Sequence, residues 1–218
     1  MQFEDSLFAG TCATPASPRK KPRQARAAVT LDAIFEATIQ VLLDVGSHQL
    51  TTTRVAERAG VSVGTMYQYF PHKQALIYAL NERYLEALAE RIEVACAKHH
   101  GVPVAEGVEA LIDVYWRAKT ERADVTRALY RSVADMDNQT LIDAFATRTD
   151  TATTAMLSSA SDASFADVAS VNRTLVTVIF GAVRHAFERG LSGPTAEDLH
   201  RQLVAMCLAY LQETDRRA

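Results

Sequence analysis

Glycine and proline are scarce in this chain, nine and six among 218 residues. Few segments alternate apolar with polar residues as half-buried strands do, and together these shortages exclude a turn-rich β protein and favour helices. The three cysteines, Cys12, Cys96 and Cys207, are odd in number, far apart and without CxxC spacing. That excludes a disulfide framework and a thiolate zinc site. No apolar run reaches about 18 residues, so no membrane-spanning helix is expected. The opening MQFEDSLFAGTCATPASPRKK sets its acids before its bases, the reverse of a secretory signal, and a cytoplasmic protein is expected. GxSxG, HExxH, Walker A and GxGxxG patterns and the Glu-x-x-His pairs of a di-iron bundle are also missing. No enzyme, cofactor or metal is therefore expected.

What is present is charge out of balance along the chain. The net charge is −3, yet residues 19–83 hold nine Lys/Arg against five Asp/Glu, while residues 84–218 hold 14 against 19. A basic first third on an acidic remainder suits a small polyanion-binding head on a body that does not bind polyanions. Residues 1–26 read as a disordered basic arm, made non-helical at Pro22 within RKKPRQAR.

Helical spacing of Leu31, Ile34, Phe35, Ile39, Leu42 and Val45 predicts a first helix over 30–45, stopped by Gly46. TTTRVAERAG reads as a short helix capped by a threonine and closed by Gly60, and SVGTMYQYF as a shorter one with Ser62 as N-cap and Pro71 at its end. A long helix can then run over 72–98. Two short helices joined by a glycine-containing turn form a helix-turn-helix, whose second helix enters the major groove of DNA. Val55, Ala56, Ala59, Val61, Met66 and Phe70 fall on inward faces, which leaves Thr65, Gln68 and Tyr69 outside and Tyr67 at the boundary. Tyrosine hydroxyls can donate to phosphates and Gln68 can reach a base edge. Val63, Gly64 and Thr65 are small enough to let the backbone approach the groove floor.

The stretch TTTRVAERAGVSVGTMYQYFPHKQAL resembles the tetracycline-repressor-like (TetR/AcrR) family of bacterial transcriptional regulators. The likeness spans about residues 23–80 and rests on a Thr-led helix, A-x-x-A-G-V-S, a small residue plus Thr, Y-x-Y-F, and a Lys two after the turn. It implies phosphate contacts from Thr51 or Thr52, Tyr67, Tyr69 and Lys73, and base contacts from Val63, Gly64, Thr65 and Gln68, with Ser62 at the same helix start. His72 departs from the Ser or Asn often found before that Lys, which puts the N-cap of the long helix in question.

Further helices are expected at 104–120, 123–134, 137–159, 165–189 and 195–213. Two long apolar stripes, Val171, Leu175, Val178, Ala182 and Ala186, then Leu199, Leu203, Met206 and Tyr210, suggest that the last two helices pair with their copies, as the family does. Gly181 and Ala182 would allow close approach. Tyr115, Trp116, Tyr130, Met136, Phe145, Met156 and Phe180, with Arg184 or His185 as polar anchor, fit an effector pocket of mostly apolar walls. The expected architecture is all-α, with an N-terminal three-helix helix-turn-helix DNA-binding domain (27–76) and a C-terminal helical ligand-binding and dimerisation domain (77–218). The expected function is a homodimeric repressor on a palindromic double-stranded DNA operator, released by a small, largely apolar effector. The alternative is an activator or architectural DNA binder without an effector.

Overall fold

The helical periodicity becomes nine helices among the residues that this computed structural model describes, 22–132 and 138–216. They are α1 (Pro22–Gln49), α2 (Thr52–Ala59), α3 (Val63–Tyr69), α4 (Lys73–Lys98), α5 (Val104–Thr120), α6 (Ala123–Ser132), α7 (Gln139–Ser158), α8 (Val168–Glu188) and α9 (Gly193–Thr214). The described residues hold no strand beyond one isolated bridge, Phe165 to Asp215. No described helix is long and apolar enough to cross a membrane. The expected disorder of 1–21 lies outside the described residues.

Helix α1 starts at Pro22, earlier than expected. Proline in a first turn lacks only an N–H that has no intrahelical acceptor there, so it opens this helix instead of preventing it. Gly46 leaves the helical conformation at φ 74°, where glycine has no Cβ to clash, and kinks the chain before Gln49.

The turn chemistry of the next two helices follows the sequence closely. Thr51 Oγ1 accepts the Arg54 N–H (3.2 Å) and caps α2. Gly60 ends α2 in the left-handed conformation (φ 68°), its N–H directed at the Ala56 and Glu57 carbonyls. Ser62 Oγ accepts the Thr65 N–H (3.0 Å) and caps α3. His72, the departure from the family pattern, still caps α4: its Nδ1 accepts the Ala75 N–H at 3.1 Å. Helix α5 begins after Pro103, which has no capping side chain, and Asp162 from the α7–α8 loop accepts the Val104 N–H instead (2.7 Å).

Two apolar cores are threaded by one helix. The first gathers Ile34, Phe35, Val41 and Leu42 of α1, Val55 and Ala56 of α2, Met66 of α3, and Leu76, Ile77 and Leu80 of the first half of α4. Val125 and Leu129 of α6 also join it. The second gathers Leu88, Ile92 and Cys96 of the later half of α4 with the inward faces of α5, α7, α8 and α9. Tyr84 packs against both. Helix α4 therefore links the two bodies, and its displacement in one core is felt in the other.

The expected dimer stripes are partly a protomer core. Val171, Leu175, Ala186 and Leu203 are buried within the chain itself, because α8 and α9 each turn these positions toward α5 and toward one another. Val178 and Ala182 are half-buried, and Met206 is 52% exposed, with Ala205 and Ala209 exposed beside it on α9. A Cβ at Gly181 would meet nothing within 4 Å.

Candidate nucleic-acid interface and effector cavity

Helix α3 is held from beneath by Met66, fully buried, and by Phe70 just past its end. Anchoring by these two residues turns Val63, Gly64, Tyr67 and Gln68 outward, with Thr65, Tyr69 and Lys73 half-exposed around them. Val63 is 40% and Tyr67 53% exposed, an unusual display of apolar surface on so short a helix. A Cβ at Gly64 would meet only Ser62 Oγ, at 3.8 Å. The protein's own packing therefore does not demand glycine there, and the free space lies on the outer surface. Thr65 is engaged locally, its hydroxyl 2.8 Å from Ser62 Oγ.

Of the two threonines offered as phosphate contacts, Thr51 is exposed at the cap, whereas Thr52 is buried. In the first turn of α2, Thr52 lies on the same inward face as Val55 and Ala56, so its side chain serves packing. Arg54, which drew no expectation, is exposed near that helix start and donates to the Gln49 carbonyl at 2.8 Å.

The second site is a cavity of about 930 Å³ walled by α4, α5, α6, α7 and α8. Tyr115, Tyr130, Phe145, Phe180 and Arg184 line it as the sequence suggests. Tyr115 stacks on Phe180 with centroids 4.2 Å apart, and Phe145 lies 5.9 Å from Phe180. Arg184 sits over the Tyr130 ring at 5.3 Å and pairs with Glu188 at 2.7 Å.

Three expected members fall elsewhere. Trp116 follows Tyr115 by one residue, hence by about 100° around α5, and meets His200 of α9 edge-on at 5.1 Å. Met156 is core: a Cβ at Gly107 of α5 would come within 3.2 Å of its sulfur. His185 is exposed and not part of the wall. Met136 lies outside the described residues.

One wall residue went unanticipated. Lys119, 1% exposed, donates from Nζ to Tyr130 Oη (2.8 Å) and Tyr84 Oη (3.1 Å). Its ammonium also stands 5.0–5.2 Å from the ring centroids of Tyr84, Tyr115 and Tyr130. Burial, helped by the charge of Arg184, pushes its pKa down to about 7, while the three ring faces oppose that shift. Burial raises all three phenols, Tyr130 to about 12, so they stay neutral. The signal was present in the sequence: Val108, Leu111, Ile112 and Tyr115 form the buried stripe of α5, and Lys119 is its next member.

Residues 34–80 match the profile of bacterial regulatory proteins of the tetR family, and residues 103–211, half of the chain, match the tetracyclin repressor-like C-terminal domain. The chain belongs to the tetracycline-repressor family. Among curated relatives, it is similar to the fatty acid metabolism regulator protein of Bacillus subtilis, 33% identical over 60 residues (28% of this chain, 31% of that one). It is also similar to the nucleoid occlusion factor SlmA of Haemophilus ducreyi, 31% identical over 96 residues (44% and 46%). The chain thus spans less than half the length of either. A TetR family transcription regulator from Marinobacter aquaeolei shares the fold at TM-score 0.65 and 19% identity, over 88% of this chain and all of that one.

Proposed function

We propose that this TetR-family chain is a homodimeric, DNA-binding transcriptional regulator of the cytoplasm. In this reading it is a repressor, released from a palindromic operator by a small, largely apolar effector held in the 930 Å³ cavity. The observation that carries this reading is the sharing of parts. Tyr84 and Leu88 of α4 and Thr126 and Leu129 of α6 line the cavity, and the same two helices supply Leu76, Ile77, Leu80, Val125 and Leu129 to the core beneath α3. A ligand that shifts α4 or α6 must shift the support of the reading helix.

In a dimer the separation of the two α3 helices has to match the groove repeat, about 34 Å. An effector that favours another separation lowers DNA affinity by its own preference between the two states, typically about 1–3 kcal/mol. The exposed Met206, Ala205 and Ala209 of α9, with Val178, Gly181 and Ala182 of α8, suit the pairing of two copies. Tyr67 and Tyr69 of α3 and Lys73 of α4 are assigned to phosphates, and Val63, Gly64, Thr65 and Gln68 of α3 to base edges. The similarity to a nucleoid occlusion factor favours a second reading, an architectural DNA binder that senses nothing.

Selection of bound duplexes from a random-sequence pool, followed by sedimentation of the complex, tests the proposal. Two chains on an inverted repeat, with half-sites about one helical turn apart, are expected. One chain on a site without a repeat would refute the dimer. Operator binding untouched by every apolar compound that occupies the cavity would leave the architectural reading.

A further inference from the structure

A lysine walled in by α4, α5 and α6 needs a reason, because an apolar side chain would complete the stripe of α5 without the penalty of burying a charge. No carboxylate among the described residues pairs with Lys119. The phenols around it stay neutral, so the cage supplies hydrogen-bond acceptors and ring faces but no counter-charge. Two of its three N–H groups go to Tyr84 and Tyr130, and the described residues offer the third no hydrogen-bond acceptor. The cavity wall as a whole leans the same way: Lys119, Arg127, Arg131 and Arg184 face Asp150 and Glu188, and Glu188 is already paired with Arg184.

We propose that the cavity takes apolar carboxylic acids in their ionised form, the carboxylate pairing with Lys119 Nζ beside Arg184 and the apolar body lying along Phe145, Phe180 and Leu141. This rests on the reading of the cavity as an effector site and names the class of effector. The anion enters at the cage by taking up the unused N–H and displacing one phenol from the ammonium. The tyrosine that gives way lies on α4 or α6, the two helices that reach the first core, so binding of the charged end is itself the event that moves the support of α3.

A protonation signature follows. The titratable and charged groups that line the cavity with Lys119 are Tyr84 of α4, Tyr115 of its own helix, Tyr130, Arg127 and Arg131 of α6, Asp150 of α7, and Arg184 and Glu188 of α8. Only the incoming carboxylate changes this set. A bound anion holds the lysine proton that burial otherwise weakens, so binding takes up a proton once the pH passes about 7. Affinity for a carboxylate should then fall as pH rises toward 9, approaching roughly tenfold per unit. A neutral ligand should show no such fall.

The test is calorimetry on the full chain with two matched pairs, 2-naphthoate against 2-naphthamide and dodecanoate against dodecanamide. The acid is expected to bind at least roughly tenfold tighter than its amide in one pair or both at pH 6.5, and to weaken from pH 7 to 9. Lys119→Met should bring acid and amide to within about twofold while amide binding persists, which shows that the cavity is intact. Equal binding of acid and amide in both pairs, a preference that survives Lys119→Met, a flat pH profile, or no binding by any of the four would overturn the proposal. An amide that binds and releases the selected operator when the acid does neither would overturn it and leave the effector reading standing. Acids that bind as expected yet never affect the operator would sink the effector reading instead.

Discussion

The helix-turn-helix and the cavity were built under opposite rules. In the first, the residues assigned to DNA point outward and the packing beneath them is apolar: Met66 and Phe70 hold α3 while Val63, Gly64, Tyr67 and Gln68 face away. In the second, the residues assigned to the effector point inward, and the packing itself is anomalous, with an ammonium that has no counter-charge inside three aromatic rings. An outward surface is free to be chosen for a partner. An inward one has to satisfy the fold as well, so a departure from apolar packing there carries more information.

If the contrast is real, damage to the two regions should separate. The largest effect is expected from Met66→Ala, which empties the fully buried contact between α3 and its core and should destabilise the first body by about 2–5 kcal/mol. DNA binding should be lost while the cavity still binds ligand, as measured by calorimetry on the same preparation. Simultaneous loss of both would mean the two cores fold as one unit.

Lys119→Met should act in the other direction. The folded chain's Lys119 titrates near 7, against an ordinary 10.5. Between those values the unfolded state binds more protons, so native stability climbs with pH by at most about 1.4 kcal/mol per unit. The substitution removes that climb and should raise the melting temperature most at pH 7 and below. Parallel melting profiles of the two proteins from pH 6 to 9 would show that the lysine is not desolvated.

On the outward face smaller and more selective effects are expected. Gln68→Ala should relax preference at one operator position, by about 1–3 kcal/mol, with the melting temperature unchanged because the side chain is exposed. Uniform weakening across operator variants would assign Gln68 to the backbone instead. Lys73→Ala should weaken all sequences alike and reduce the salt slope by about one. An unaltered slope would remove Lys73 from the phosphate contacts.

The same contrast explains what could be read from the sequence. The short helices, their caps at Thr51 and Ser62 and the turn at Gly60 depend on neighbours three or four residues away, so spacing alone gives them. The buried position of Thr52 depends on the packing of α2 against α1, which spacing does not report. The cavity is assembled from five helices, and membership turns on rotation about each axis. Tyr115 and Trp116 are adjacent in sequence, yet one faces Phe180 and the other His200. Met156 was grouped by type, and its environment is set by Gly107, 49 positions earlier. Lys119 continues the α5 stripe at i, i+4 from Tyr115, but spacing alone does not assign a charged residue to the core. In α8 and α9 the stripes were wide enough to serve two surfaces, and the chain's own core took Val171, Leu175, Ala186 and Leu203.

Coupling of the reading helix to the cavity through α4 and α6 should be visible in amide hydrogen exchange on the selected operator complex. Operator binding should slow exchange across Val63–Tyr69, where DNA covers the helix. It should also change exchange across Ala123–Ser132, which forms cavity wall and first-core packing and has no place on the DNA. Protection of α3 with α6 unchanged would rule that coupling out, since the two sites would then share a chain but no equilibrium.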